Sequence, residues 1–308
     1  MPELMPIPVS RGDTIYCRIV MPESAPIGCV LNCKGVGIYT WDNKNGEKSG
    51  FYGSALMEIE KEIIGQGFAM AYVSPKGYSE KNFLSINKFV RDVEIVSGRL
   101  KDRFGVALFA MGHSLGAYSM ARLMLTSSHH PFTAVALLSP PISLSEAVNG
   151  FAETYTRLPQ PVREMVARAV FAGVAVKHRG SAAAVLDEAM TQPPFDDLVI
   201  SGEYSGNSSS AIAQALIVYG RKDPYLFPHA MVRFSMQQSW EQYEKRWRLV
   251  APNSKIKGYD GLGHHFTTGL GELVKTALLH HQNPEAKDIA TEIINHFKSS
   301  LEKPVSVN

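Results

Sequence analysis

The apolar positions of this chain follow two rhythms that alternate along its length. Short, nearly unbroken apolar runs occur at Gly28-Cys29-Val30-Leu31-Asn32-Cys33, at Phe68 to Val73, at Val106-Ala107-Leu108-Phe109-Ala110, at Thr133 to Leu138 and at Ala215-Leu216-Ile217-Val218-Tyr219. Such runs predict strands covered on both faces, because neither face offers polar positions to water. Between them, apolar residues recur every three or four positions. Ala55, Ile59, Ile63 and Ile64 predict a helix over 52–65 that Gly65-Gln66-Gly67 stops, and Ile86, Phe89, Val90, Val93 and Val96 predict another over 85–101. A third helix follows Gly116 to about Leu125, residues 229–243 read as a fourth, and Trp247 to Val250 reads as the last strand. The final helix opens with Asn283 as cap and Pro284 in first position, and carries a stripe of Ala286, Ile289, Ala290, Ile293 and Phe297. Ahead of all these, residues 5–20 read as a hairpin turning at Arg11-Gly12-Asp13, with Ile15, Cys17 and Ile19 on one face.

Strands that alternate with amphipathic helices predict an α/β fold with a mostly parallel central sheet and helices on both faces. From about 141 to 211 the alternation stops. Val162, Met165, Val166, Ala169 and Val170 form a helical stripe behind Pro161, residues 181–190 read as a short helix behind Ser181, and Ser201 to Ser210 is rich in loop residues. We therefore expect residues 1–140 and 212–308 to build one core, with 141–211 inserted as a helical lid.

Composition narrows the function classes. Of 308 residues, 45% are hydrophobic and 19% charged, and 31 Lys and Arg against 29 Asp and Glu leave a net charge of +2. That balance lacks the basic excess of a nucleic-acid binder. Three cysteines, Cys17, Cys29 and Cys33, are too few and too oddly spaced for a disulfide scaffold. On one strand, Cys29 and Cys33 stand about 13 Å apart, beyond disulfide reach. Reduced thiols in a cytoplasmic protein are the expectation. No basic segment followed by an apolar core opens the chain, so no signal peptide is expected, and no run reaches about 18 apolar residues, so no membrane span is expected.

The segment with the most specific chemistry is Gly112-His113-Ser114-Leu115-Gly116, which lies between a predicted strand and a predicted helix. Gly-x-Ser-x-Gly in that setting makes a sharp turn on which the serine takes a strained backbone conformation and exposes its hydroxyl above the sheet edge. The helix then points its N-terminus at the site, where negative charge is favoured. The alternative is an ordinary turn with a capping serine.

With these pieces in hand, the chain resembles the α/β-hydrolase superfamily over nearly its whole length. Lys34-Gly35-Val36-Gly37 falls where that superfamily carries its oxyanion loop, although Lys34 replaces a frequent histidine. Pro75-Lys76-Gly77-Tyr78-Ser79 is similar to the turn after the next strand, Gly220-Arg221-Lys222-Asp223 to the acid-bearing turn, and Gly261-Leu262-Gly263-His264 to the turn that presents the base. The resemblance implies an α/β-hydrolase fold with an inserted lid. It implies Ser114 as nucleophile, His264 as base, Asp223 as the acid that orients it, and the backbone N–H groups of Leu115 and Val36 as the oxyanion hole. His265 stands as a rival base. Asp260 is a poorer acid than Asp223, because a residue four back on the same loop does not easily reach behind the ring. The turn Ser139-Pro140-Pro141 carries no carboxylate.

A serine at the elbow implies acyl transfer: a serine esterase or thioesterase acting on a small-molecule acyl substrate. An acyltransferase or a carrier-linked thioesterase, with an acyl-carrier protein as partner, is the alternative, followed by a carbon–carbon bond hydrolase and a non-catalytic binding protein. No cofactor and no metal are expected. The pairs His129-His130 and His280-His281 read as solvated surface. Val162, Met165, Val166, Phe171, Val174 and Phe195 either face an apolar substrate portion or pack the lid onto the core. Tyr39, Trp41, Phe51 and Tyr52 either line an entrance or staple the surface.

Overall fold

The computed structural model describes residues 2–8, 14–33, 40–41, 48–49, 54–73, 86–127, 130–149, 160, 188, 190–201, 212, 214–223, 226–227, 237–264, 266 and 284–302. Its strands are β1 (Glu3–Pro8), β2 (Thr14–Val20), β3 (Gly28–Cys33), β4 (Thr40–Trp41), β5 (Lys48–Ser49), β6 (Phe68–Val73), β7 (Leu108–His113), β8 (Phe132–Leu138), β9 (Leu216–Gly220) and β10 (Lys255–Tyr259). Eight of them form one sheet in the order β1-β2-β6-β3-β7-β8-β9-β10, while β4 and β5 make a separate two-stranded ribbon. The pairs from β6 to β10 are parallel, and only β1–β2 and β2–β6 run antiparallel. The expected hairpin is present as β1 and β2, with Glu3 opposite Ile19 and Pro8 opposite Thr14. Its turn, Arg11-Gly12-Asp13, lies outside the described residues.

Alternation along the strands sorts side chains into two cores. On β7, Leu108 and Ala110 join the cluster beneath α2 (Ile86–Phe104), α3 (Leu115–Thr126) and α5 (Gln237–Val250), while Phe109 and Met111 face α1 (Ser54–Gly65) and α6 (Pro284–Leu301). On the second face Phe109 stacks on Phe297 at 4.7 Å, and Phe68 meets both rings edge-on at 5.7 and 6.1 Å. The stripe expected on the last helix, from Ala286 to Phe297, is the buried face of α6.

Two expectations fail in the last third of the chain. The strand expected at Trp247 to Val250 is the end of α5, which spans Gln237–Val250. Tyr243, Trp247 and Val250 recur at helical spacing and all three are buried on one face, with charged residues between them. The helix therefore runs seven residues past the expected end at 243, and residues 229–236 lie outside the described set. The last strand is β10, Lys-Ile-Lys-Gly-Tyr, whose burial runs from exposed to half-buried until Tyr259. As an edge strand it keeps one flank in water, so it has no apolar run to announce it. Its lysines pair with α6 instead: Lys257 Nζ lies 2.9 Å from Asp288 Oδ2 and 3.0 Å from Glu292 Oε1.

The described parts of segment 141–211 include helical residues 144–149, α4 (Phe195–Ile200) and no strand. Two of its described parts meet: the Phe195 N–H donates to the Ile142 carbonyl at 3.1 Å. Arg246 on α5 holds both parts, donating to Asp196 at 2.6 and 2.9 Å and to Glu146 at 2.7 and 3.1 Å. Asp196 raises the pKa of Arg246 most, and Glu146 adds to it. Phe195 stacks on Tyr118 at 4.5 Å and meets Trp247 at 6.0 Å, so it packs the core rather than facing a ligand. Glu188 caps α2 from this segment, accepting from the N–H groups of Ile86 at 2.8 Å and Asn87 at 3.1 Å. Val162, Met165, Val166, Phe171 and Val174 lie outside the described residues, as do Tyr39, Phe51, Tyr52 and the side chain of Trp41.

Cys17, Cys29 and Cys33 are free and fully buried in the cluster beneath α2 and α3. Strand β6 separates β2 from β3, so Cys17 stands two strand spacings, about 10 Å, from Cys33, which is level with it, and farther from Cys29. Burial pushes the Cys17 thiol up to about 12 and holds those of Cys29 and Cys33 well above the ordinary thiol value. The thiolate is the reactive form. We therefore expect an aromatic disulfide reagent to modify none of the three in the native protein and all three once guanidinium unfolds it. Rapid labelling of the native protein would contradict this packing.

Candidate active site

The site forms where four neighbouring parallel strands end. Strand β7 runs to His113, and α3 begins at Leu115. The single residue between them, Ser114, has φ 55° and ψ −124°. A non-glycine residue there is strained, and the surroundings must hold it. Two backbone bonds do so: the Ser114 N–H donates to the Leu138 carbonyl at 2.9 Å, and its carbonyl accepts from the Tyr118 N–H at 3.0 Å. Gly112 makes the turn possible, since a Cβ there would lie 2.7 Å from the backbone N and Cα of Ala117. Ser114 is half-buried between buried neighbours, so the turn presents it to the space above the sheet edge. The N–H of Leu115 is the first amide of α3, and first-turn amides have no acceptor within their own helix. Partial positive charge thus accumulates beside Ser114.

Asp223 and His264 arrive from β9 and β10. Asp223 lies three residues past β9 and is fully buried. Its Oδ2 accepts from His264 Nδ1 at 2.7 Å, and its Oδ1 accepts from the Leu226 N–H at 3.2 Å. A buried carboxylate needs such donors. Because the carboxylate accepts, Nδ1 carries the hydrogen, and in the neutral ring the lone pair sits on Nε2. Asp260 points elsewhere: its side chain is 80% exposed and pairs with Arg221 at 3.0 Å.

The loop after β10 reaches this position by crossing the ends of the other strands. At β9, the Arg221 N–H donates to the Tyr259 carbonyl at 2.9 Å and the Lys222 N–H to the Leu262 carbonyl at 2.8 Å. Gly220 allows the crossing, because a Cβ there would lie 2.3 Å from the Gly263 carbonyl oxygen and 2.4 Å from that of Leu262. At β8, the Ser139 hydroxyl donates to the His264 carbonyl at 3.2 Å. At β7, His113 Nε2 donates to the same carbonyl at 2.8 Å, and the His113 and His264 rings lie 4.8 Å apart. His264 is thereby bound to the residue immediately preceding Ser114.

The structure thus brings Ser114, Leu115, Asp223 and His264 to one edge of the sheet. Val36, His265 and the stretches Lys34-Gly35-Val36-Gly37 and Pro75-Lys76-Gly77-Tyr78-Ser79 lie outside the described residues. Sequence reasoning passed over His113 and Ser139. His113 is simply the variable residue of the Gly-x-Ser-x-Gly pattern, and Ser139 stands in a turn notable only for lacking a carboxylate. Among the described residues, no group of three or more His, Cys, Asp or Glu side chains could hold a metal ion. No described helix is long and apolar enough to cross a membrane. Of the paired histidines, only His130 is described. Its Nδ1 accepts from the Phe132 N–H at 3.4 Å, and burial lowers its pKa.

No protein-family model and no curated protein sequence matches the chain. Solved structures do match in shape. The chain is similar to the Pyrococcus furiosus esterase PF2001, with a TM-score of 0.61 at 12% identity over 98% of this chain and 91% of that one. It is similar to Est1E from Butyrivibrio proteoclasticus, with a TM-score of 0.56 at 12% identity over 97% and 99%. MenH from S. aureus matches with a TM-score of 0.57 at 12% identity over 93% and 99%. The sheet order, the helices on both faces and this likeness establish the α/β-hydrolase fold.

The crossing at Gly220 yields a direct test. Gly220→Ala forces the backbone of the 260–264 loop away from β9 and with it His264 from Asp223. We expect the downfield proton resonance of the His264 Nδ1–H to vanish in Gly220→Ala, with a stability loss of about 1–3 kcal/mol from overpacking. An unchanged resonance would contradict the close approach.

Proposed function

We propose that this protein is a serine hydrolase that cleaves a carboxylic ester or thioester through an acyl-enzyme on Ser114. The observation that carries this reading is the buried Asp223–His264 pair, 2.7 Å between Oδ2 and Nδ1, whose histidine is bonded through its carbonyl to the neighbour of a serine at φ 55°. Nothing in core packing requires a strained serine, a histidine and a buried carboxylate at adjoining strand ends. Their joint presence fits nucleophilic catalysis.

In this reading Ser114 Oγ attacks the acyl carbonyl carbon. The Oγ–C bond forms, the hydroxyl proton passes to His264 Nε2, and the carbonyl electron pair moves onto oxygen. That oxyanion is stabilised by the Leu115 N–H and, following the resemblance, by the Val36 N–H. Losing one such donor typically costs on the order of 100-fold or more in rate. Asp223 keeps the imidazole in the Nδ1–H tautomer and stabilises the imidazolium. Collapse of the intermediate breaks the bond to the leaving alkoxide or thiolate, which takes the proton from Nε2. Water then repeats the sequence on the acyl-enzyme and regenerates Ser114.

Segment 141–211 serves in this reading as the lid that supplies an apolar wall, and the Arg246 bridges to Glu146 and Asp196 support an insertion anchored on the core. The free buried thiols fit a reducing compartment such as the cytoplasm. The similar Pyrococcus furiosus protein is an esterase, and Est1E also has a structure with ferulic acid bound. A feruloyl ester therefore belongs in a substrate panel beside aliphatic esters and thioesters of graded length.

A fluorophosphonate probe is expected to label the native protein at Ser114, and Ser114→Ala should abolish both labelling and turnover. Asp223→Asn should lower kcat by about 10⁴-fold, because the amide favours the wrong tautomer. A folded wild-type protein that neither labels nor hydrolyses any member of the panel refutes the hydrolase reading. Faster release of the acyl group to added alcohols or to an acyl carrier than to water would instead assign an acyltransferase.

A further inference from the structure

The carbonyl oxygen of His264 accepts two hydrogen bonds from two different strand ends. His113 Nε2 reaches it at 2.8 Å from the last residue of β7, and Ser139 Oγ reaches it at 3.2 Å from the residue after β8. Both donors are buried, with His113 at 4% and Ser139 at 0% exposure. A carbonyl oxygen only accepts, so His113 carries its hydrogen on Nε2. Two donors thus converge on one oxygen, and the His264 carbonyl cannot turn away without breaking both bonds.

Ser139 is held in place at a cost. Its φ is 46°, in the left-handed region that a residue with a Cβ avoids, and its N–H donates to the Val218 carbonyl at 2.7 Å. Three non-glycine residues among those described have positive φ: Ser114, Ser139 and Phe266, two residues beyond His264. All three stand at this one corner. Strain concentrated in this way points to positions fixed for function. The Phe266 N–H in turn donates to the Gly263 carbonyl at 3.2 Å, which closes the turn on the far side of His264.

Asp223 holds the ring of His264 but does not by itself set the distance from that ring to the nucleophile, since Asp223 follows β9 and Ser114 follows β7. His113 is joined to Ser114 by one peptide bond, so its bond to the His264 main chain links the loop of the base to the nucleophile through a short covalent path.

We propose that His113 and Ser139 are positioning residues that clamp the main-chain carbonyl of His264 and thereby fix its imidazole over Ser114. The proposal rests on the hydrolase reading above. Misplacing a catalytic group by about 1 Å can cost about 100-fold. The loss should fall on the chemical step and leave ground-state binding alone, because neither residue is placed against substrate.

The test compares His113→Leu, which removes the donor, with His113→Gln, which restores an N–H at similar reach, and with Ser139→Ala. Turnover of the best panel ester, the rate of fluorophosphonate labelling and the melting temperature are measured for each. We expect His113→Leu to lower kcat and the labelling rate by about 10- to 100-fold with KM within about threefold of wild type. We expect His113→Gln to recover most of that loss, and Ser139→Ala to show a smaller fall of the same kind. A folded His113→Leu with kcat within threefold of wild type, a His113→Gln as slow as His113→Leu, or a loss confined to KM would each overturn the clamp. If His113→Leu does not fold, unimpaired turnover in Ser139→Ala together with an impaired His113→Gln overturns it. A wild-type protein that neither labels nor turns over any ester refutes the hydrolase reading itself, and labelled wild type with unimpaired variants refutes the clamp alone.

Discussion

Asp223 has no contact with water, and a carboxylate in that position forces most of the surrounding geometry. Removing such a charge from water costs several kcal/mol unless donors meet its oxygens. One donor, the Leu226 N–H, comes from the same turn, but the shorter bond comes from His264, which is 41 positions away in sequence. The chain after β10 must therefore travel back over the end of β9. It does so in backbone contact, with the carbonyls of Tyr259 and Leu262 taken by the N–H groups of Arg221 and Lys222. Only a residue without a Cβ fits beneath that crossing, and Gly220 stands there. The acid, the missing side chain and the path of the loop are one constraint seen from three places.

The parallel sheet converts this local arrangement into a fixed set of separations. Strands β7, β8, β9 and β10 are neighbours in that order, and their C-terminal ends carry, in turn, Ser114, Ser139, Asp223 and the loop of His264. Crevices outside the carboxyl ends of parallel strands are where open α/β sheets place ligands. Neighbouring strands lie about 4.8 Å apart, so residues on adjoining ends meet through single hydrogen bonds. Each end is also tied sideways, Ser114 N–H to Leu138 and Ser139 N–H to Val218. Positions held by the sheet ladder need little rearrangement at the moment of reaction, and such preorganisation is the main source of electrostatic stabilisation in acyl transfer.

How much of this was readable from the chain alone varies with the physical signal. The strands β3, β6, β7, β8 and β9 are buried along nearly their whole length, so their apolar runs announced them. Strand β10 is an edge strand built on Lys255 and Lys257, and its signal was lost to the apolar residues of α5, where Trp247 and Val250 imitate a short strand. Within the site, Ser114 stood out through its Gly-x-Ser-x-Gly turn, and Asp223 and His264 through the resemblance of their glycine-bearing turns to those of the α/β-hydrolase superfamily. His113 and Ser139 did not. Their bonds run to a main-chain carbonyl, which any donor at the right place can serve, so residue type carries little information. The left-handed backbone of Ser139 likewise leaves no mark in a sequence that offers serine where glycine would be expected.

The insertion proposed for segment 141–211 would leave and rejoin the framework through residues that are bonded to each other. Ile142 and Phe195 close the insertion with a backbone hydrogen bond, and Arg246 braces the same neck through Glu146 and Asp196. Phe195, at the neck, is spent on packing against Tyr118 and Trp247. With its ends fixed to each other and to α5, a segment between them can lengthen at small entropic cost, because loop-closure entropy grows only slowly with length. The residues proposed to make and break bonds lie on the strand ends outside that neck. In the hydrolase reading proposed above, nucleophile, base and acid are then held in register by the bonds that join the strand ends.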